Sequence, residues 1–235
     1  MDSKYFIFGQ LNNKKKKRSV GLIIVDVLFT LYILITISYL IFCSLFIQAR
    51  VVGTSMQPTF NINLHETQDP TTSIYQDYVY AKRSDKGTNG DIVIAQVKKE
   101  TVIKRIIATE GQVLTLKYES DGYYHFYLAS ETGAEPVKLN ESYTGKYYQN
   151  MDYGYYLRFI DVEGVEKDGV LSDKSASIVI PKNKVFLVGD NRKTSEDSTT
   201  YGAIDKDCIL GTVKFYHYYN QSFLEYLWQQ LCSIF

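Results

Sequence analysis

Ser55 and Lys104 are the two side chains whose types and settings suggest chemistry. Ser55 stands in Gly53-Thr54-Ser55-Met56-Gln57-Pro58-Thr59, and Lys104 in the apolar run Val102-Ile103-Lys104-Arg105-Ile106-Ile107. A serine hydroxyl becomes a nucleophile when a base takes its proton. The three histidines, His65, His125 and His217, are scattered and read as surface or packing residues. A lysine held among branched aliphatics can serve instead, because burial disfavours its charged form and lowers its pKa. Gly53 permits a tight backbone approach before Ser55, and Pro58 stiffens the turn after it. On a strand, Lys104 shares a face with Val102 and Ile106, and Arg105 shares the other with Ile103 and Ile107. Arg105 keeps its charge and must find a partner or water. Taken singly, an ordinary turn serine and a solvated strand lysine are the common uses of such residues.

A third element is the polar loop Gly189-Asp190-Asn191-Arg192-Lys193-Thr194-Ser195-Glu196-Asp197-Ser198, which follows the apolar run Lys184 to Val188. Its side chains can form an ordinary turn, or they can brace a lysine and its neighbours.

The elements that must position these groups begin with an anchor. Residues 20–47 are almost continuously apolar, interrupted by Asp26 near the start, and are long enough as a helix to cross a hydrocarbon core of about 30 Å. A cleaved leader has a shorter apolar core of about 7 to 15 residues followed by small residues, which this stretch lacks, so the anchor reads as retained. Lys14 to Arg18 flank its N-terminal end, against Arg50 at the other. The positive-inside rule then places the N-terminus in the cytoplasm and the domain outside. Asp26 falls near the cytoplasmic interface, where its cost is small.

Beyond residue 48 the clear segments read as strands: Tyr78 to Ala81, Asp91 to Val97, the stretch carrying Lys104, Val113 to Leu116, Lys184 to Val188 and Ile209 to Tyr218. Lys98-Lys99-Glu100 and Gly87-Thr88-Asn89-Gly90 read as turns. Residues 117–182 are rich in tyrosine and read as an inserted subdomain of small strands, Tyr123 to Leu128 and Tyr153 to Phe159 among them, with the rings serving mainly in packing. The tail from Ser222 aligns Phe223, Leu224, Leu227, Trp228 and Leu231 on one helical face, fit for a membrane interface or for packing on the domain. The expected division is a basic segment (1–19), a transmembrane anchor (20–47), the first stretch of a catalytic core (48–116), an inserted β subdomain (117–182), and the remainder of the core with a C-terminal helix (183–235).

Charge and cysteine content narrow the function classes. The 26 basic and 26 acidic residues balance, but six basic and two acidic ones precede Gln48, which leaves the domain with 20 against 24. A mildly acidic domain disfavours a nucleic-acid partner. Cys43 lies in the apolar run, Cys208 and Cys232 pair only if the fold brings them close, and no Cys/His spacing marks a metal site.

The ordered set is more specific than any member. An anchor, Ser-Met-x-Pro-Thr, Gly-Asp-Ile-Val, a Lys-Arg pair in an aliphatic strand, and Gly-Asp-Asn-Arg-x-x-Ser-x-Asp-Ser occur in sequence. This resembles the bacterial type I signal peptidases, the Ser/Lys leader peptidases, and most of all their Gram-positive single-anchor branch. The resemblance implies a mainly β fold, an N-terminal transmembrane helix followed by a β-rich catalytic domain. It implies Ser55 as acylating nucleophile, Lys104 as general base, Ser195 as the hydroxyl that orients the amine, and Met56 and Pro58 in the substrate-binding region. Asp190, Arg192 and Asp197 match residues that hold the loops together, and Gly53 stands where some members carry an oxyanion-stabilising serine. No cofactor or metal is implied. The partners are exported preproteins, with small residues before the cut, and membrane lipid. Thr199 departs from the family's arginine beside the aspartate, so that ion pair must be replaced or lost. The competing reading is a non-catalytic relative assisting assembly of surface structures such as pili; both dyad members are present, which disfavours it.

Overall fold

A computed structural model describes residues 19–62, 76–168 and 175–219. The basic run before residue 19, His65, Cys232 and the expected tail helix lie outside them. The chain divides into two compact units, residues 1–44 and 45–235.

The first unit is α1 (Val20–Leu45), a helix with no buried side chain, long and apolar enough to cross a membrane. The apolar run continues past it, but Phe46 and Ile47 belong to the first strand of the second unit.

That unit is mainly β. Its strands are β1 (Phe46–Arg50), β2 (Tyr78–Arg83), β3 (Ile92–Val97), β4 (Glu100–Thr109), β5 (Val113–Tyr118), β6 (Tyr124–Ala129), β7 (Val137–Lys138), β8 (Val165–Asp168), β9 (Ser175–Val179), β10 (Lys184–Val188), β11 (Ile204–Asp205) and β12 (Ile209–His217). Three short helices join them, α2 (Gly145–Tyr148), α3 (Tyr153–Ile160) and α4 (Ser198–Tyr201). The strands form a seven-stranded sheet, ordered β1-β2-β12-β3-β4-β10-β11, and a five-stranded sheet, β7-β6-β5-β9-β8. Every pairing is antiparallel.

Register in the first sheet is set locally. Lys98 and Lys99 both take positive φ, 46° and 75°, which makes a two-residue turn whose twist suits a hairpin. It pairs Val97 with Glu100 and, further along, Val93 with Lys104. On the other side β10 covers only Arg105 to Thr109, with a register shift between Phe186 and Leu187. Among the described residues, the Glu100–Lys104 half of β4 therefore has one unpaired edge, and β1 at the sheet margin has another.

The five-stranded sheet begins at Val113, four residues ahead of the tyrosine-rich stretch expected as an insert, because Leu114 and Leu116 pack inward with Phe126, Ala176 and Ile178. One stretch expected as strand is a helix. Residues 153–160 form α3, whose N-terminus is capped by the Asp152 carboxylate accepting from the Tyr155 N–H. Tyr155, Tyr156 and Phe159 then fall on one buried face at helical spacing. Tyrosine's β propensity points to a strand here, but the cap and the i, i+4 aromatic pair outweigh it. The rings do pack: Tyr124 stacks on Tyr156 at 4.9 Å, and Phe126 meets Phe159 edge-on at 6.2 Å. Ile107, Ala108, Phe186 and Val188 of the first sheet join this core, so the two sheets share it.

Candidate active site

The segment after β1 carries Ser55, and a buried polar knot shapes it. Asn61, in the left-handed region at φ 56°, donates from Nδ2 to the carbonyls of Val51 (2.8 Å) and Gly53 (2.9 Å). Its backbone N–H donates to the Asp77 carboxylate, and the Asp77 N–H donates back to Asn61 Oδ1. Gln57 Nε2 donates to the Asn61 carbonyl. Buried amides without such partners would each cost about 1–3 kcal/mol, so this knot fixes the path of the chain. Gly53 turns the chain at φ 82°, and the Gln57–Pro58 peptide is cis. Met56 and Phe60, both 1% exposed, nail the segment to a core cluster with Val79, Ala81 and Ile94 of the first sheet. Among the described residues, no acceptor lies on the Ser55 N–H.

Lys104 is 4% exposed. Burial pushes its amine below the ordinary lysine pKa, while the carboxylates of Asp197, Asp190 and Glu196 pull it part of the way back. Among the described residues it has no hydrogen bond and no ion pair. Its neighbour Arg105 is spoken for: Nε and Nη2 donate to the two oxygens of Asp190 at 2.8 and 2.6 Å, Nη1 donates to the Gly90 carbonyl, and the guanidinium lies 3.9 Å from the centre of the Tyr143 ring. Of two adjacent basic side chains, one is paired with a carboxylate and the other has no partner among the described residues.

Ser55 and Lys104 line the same cavity, of about 310 Å³, with Ala49 to Val52, Met56 and Thr101 to Ile103. Pro58 and Gly53 are not on its wall; the nearest contact a side chain at Gly145 would make is the Pro58 ring.

The Gly189–Ser198 loop passes behind this pair. The Asn191 N–H donates to the Ser55 carbonyl at 3.0 Å, and Asn191 Nδ2 donates to the Thr54 carbonyl. Asp190 also accepts from Thr59 Oγ1, so one carboxylate ties together the serine segment, β4 and the loop. Ser195 is 1% exposed, and its Oγ has no hydrogen-bond partner among the described residues. Gly189 is where the loop and the serine segment meet: a Cβ there would overlap Ser195 Oγ and the Ser55 carbonyl oxygen. Asp197 accepts from the Gly189 N–H, the Thr199 N–H and Thr199 Oγ1 at 3.0, 3.0 and 2.8 Å. Thr199 thus supplies by a hydroxyl some of what an arginine would supply by charge.

Arg192 points away from the cavity into the shared core. It is fully buried, paired at 2.6 Å with Glu141, itself 4% exposed, and it donates from Nε to the Gly189 carbonyl. Glu141 holds the guanidinium firmly protonated against the cost of burial. The pairs formed by Asn61 with Asp77 and by Arg192 with Glu141, the close packing at Gly189, and the contacts of Arg158 with the loop had no local signal. The hydrogen-bonded partners among these lie 16 to 51 residues apart, and Gly189 packs against the Ser55 carbonyl from a distant segment.

A cluster of Glu119, Asp121 and His125 lies on the second sheet, with His125 Nε2 2.8 Å from Asp121 and Lys138 Nζ 2.8 Å from Glu119. The lysine ammonium already occupies one of its carboxylates. Cys43 is exposed on α1, and Cys208 is a half-buried thiol.

A family model described as signal peptidase, peptidase S26, matches residues 24–218. Signal peptidase I of Bacillus amyloliquefaciens is 25% identical over 206 residues, covering 87% of this chain and 94% of that protein. Signal peptidase IB of Staphylococcus aureus is 28% identical over 127 residues, 54% of this chain and 58% of that protein. A crystal structure of a signal peptidase I from Enterococcus faecalis V583 aligns at 22% identity with a TM-score of 0.36, over 55% of this chain and 97% of the other.

Proposed function

The chain belongs to the signal peptidase family, peptidase S26, and on that premise we propose that it is a membrane-anchored serine endopeptidase. It removes N-terminal signal peptides from exported preproteins with a Ser55/Lys104 dyad. The observation that carries this reading is a desolvated lysine, without hydrogen bond or ion pair among the described residues, lining one cavity with a serine. The basic run before α1 puts the N-terminus in the cytoplasm and the catalytic domain outside.

The preprotein enters as an extended strand. Support for this comes from the strand edges at Ala49–Arg50 and Thr101–Lys104, unpaired among the described residues, which line the cavity and can take main-chain hydrogen bonds. Small residues at the first and third positions before the cut are what the family resemblance implies for its shallow pockets. Neutral Lys104 takes the Ser55 hydroxyl proton as Oγ bonds to the scissile carbonyl carbon. The resulting oxyanion is met by the Ser55 N–H, a donor of the kind worth about 3–4 kcal/mol in acyl transfer. The tetrahedral intermediate breaks its C–N bond, Lys104 returns the proton to the leaving amine, and the mature protein departs. Water, deprotonated by Lys104, then cleaves the acyl-enzyme and frees the signal peptide. Ser195 supplies a hydroxyl to orient the amine, and Asp190, Arg192 and Asp197 hold the loop.

The test is cleavage of a preprotein by detergent-solubilised wild type, Ser55→Ala and Lys104→Met. Each variant loses roughly 10³-fold or more in kcat. Wild-type kcat rises with pH as Lys104 loses its proton and levels off below the ordinary lysine pKa, because burial has lowered it. Equal processing by all three proteins, or a flat profile from mildly acidic to alkaline pH, removes the dyad.

A further inference from the structure

The second sheet contributes no member of the proposed dyad, yet a helix packed on it reaches the catalytic loop. Arg158 lies in the last turn of α3 and is half-buried. Its Nη2 donates to the Arg192 carbonyl at 3.3 Å and its Nη1 to the Ser195 carbonyl at 3.4 Å. The guanidinium also lies 5.0 Å from the centre of the Tyr155 ring, which is buried in the shared core. One rigid fork thus spans the turn from Arg192 to Ser195. The same turn is closed from within by the Ser195 N–H donating to the Asn191 carbonyl, and from the second sheet's side by the Arg192 N–H donating to the Tyr148 carbonyl.

We propose that Arg158 is a positioning residue for the Ser/Lys reaction: by bridging the Arg192 and Ser195 carbonyls it fixes the Ser195 hydroxyl and holds the loop against the Ser55 segment. The inference rests on the Ser55/Lys104 dyad reading. It gives the tyrosine-rich stretch a task in catalysis, carried through α3 and distinct from substrate contact. A planar fork suits this task because two carbonyls are held at once; a lysine at 158 would keep the charge and lose the bridge. Opening the turn admits water to Lys104. The charges of Asp197, Asp190 and Glu196 favour the protonated form of that amine, and Arg105 already engages Asp190. With less desolvation, their field raises its pKa, and the rising limb of the pH–rate profile moves to higher pH.

The experiment compares wild type, Arg158→Gln and Arg158→Lys in the full-length, detergent-solubilised chain. The readouts are kcat and KM on a preprotein, the pH profile of kcat, and hydrogen exchange of residues 189–197. Both variants are expected to lose roughly ten- to hundredfold in kcat with KM little changed, as for a misplaced catalytic group. The pH limb shifts upward, and loop amides exchange faster while β5 and β9 do not. Full activity with an unmoved limb in Arg158→Gln overturns the positioning role. So does recovery of wild-type kcat by Arg158→Lys, since charge alone would then suffice. If the wild type cleaves no preprotein, or Ser55→Ala still does, the dyad reading fails instead.

Discussion

The two sheets of the outer domain bury different things. The five-stranded sheet closes over an aromatic and aliphatic core, Leu114, Leu116, Tyr124, Phe126 and Phe159, each no more than 1% exposed. The seven-stranded sheet has apolar cores of its own, but at its junction with the first it buries Lys104, Asp190, Arg192, Ser195 and Asp197. Polar groups out of water cost free energy unless paired, and all of these are paired except the Lys104 amine and the Ser195 hydroxyl among the described residues. The contrast teaches where reactivity comes from. Asp190, Arg192 and Asp197 are satisfied around the proposed dyad, while the Lys104 amine and the Ser195 hydroxyl have no partner among the described residues. The apolar sheet supplies the rigid backing, and through Glu141 and Arg158 it supplies counter-charges and clamps.

Three substitutions break or sharpen this contrast. Gly189→Ala has the largest expected effect on kcat. Its methyl group would collide with Ser195 and the Ser55 carbonyl, which forces two site segments apart. A loss of roughly a hundredfold in kcat is expected, and a variant with wild-type kcat would mean that the close packing is irrelevant to catalysis. Glu141→Ala comes next. Removing one partner of a fully buried ion pair strands the Arg192 guanidinium and costs about 3–5 kcal/mol, read from chemical denaturation. If the loss stays near zero, the second sheet does not anchor the loop electrostatically. Thr199→Val is the mildest. It deletes one of three donors to Asp197 and costs about 1 kcal/mol, with kcat lowered less than threefold. A collapse of activity here would show that the hydroxyl does more than hold the aspartate.

Much of the candidate site was legible because the chemistry proposed for it is written in short motifs. Ser55, Lys104, Ser195, Asp190 and Asp197 fall in three compact runs, and the structure gathers the segments that carry them. The strands of the first sheet were legible for a related reason: Ile92–Val97 and Lys184–Val188 are apolar enough on both faces to read as buried. What escaped was long-range or ambiguous. Asn61 looks like any turn asparagine until Asp77 is placed beside it. Glu141 looks like a solvated acid in a charged stretch, and only tertiary packing buries it against Arg192. Residues 153–160 carry β-prone tyrosines, and a single aspartate cap tipped them into a helix. With that stretch read as a strand, Arg158 could not be seen to face the loop.

The Lys98–Lys99 turn has a consequence that concerns parity. Side chains along β4 alternate, so whether the amine or the guanidinium faces the cavity that Ser55 lines depends on whether an odd or an even count of residues separates it from the hairpin's tip. With two residues at the tip, Val93 sits opposite Lys104, and the titratable cation takes the inner side. A miscount of one would present Ser55 with a group that never releases its proton. For the proposed dyad, the length of a turn at the far end of the hairpin therefore decides which cation faces the cavity.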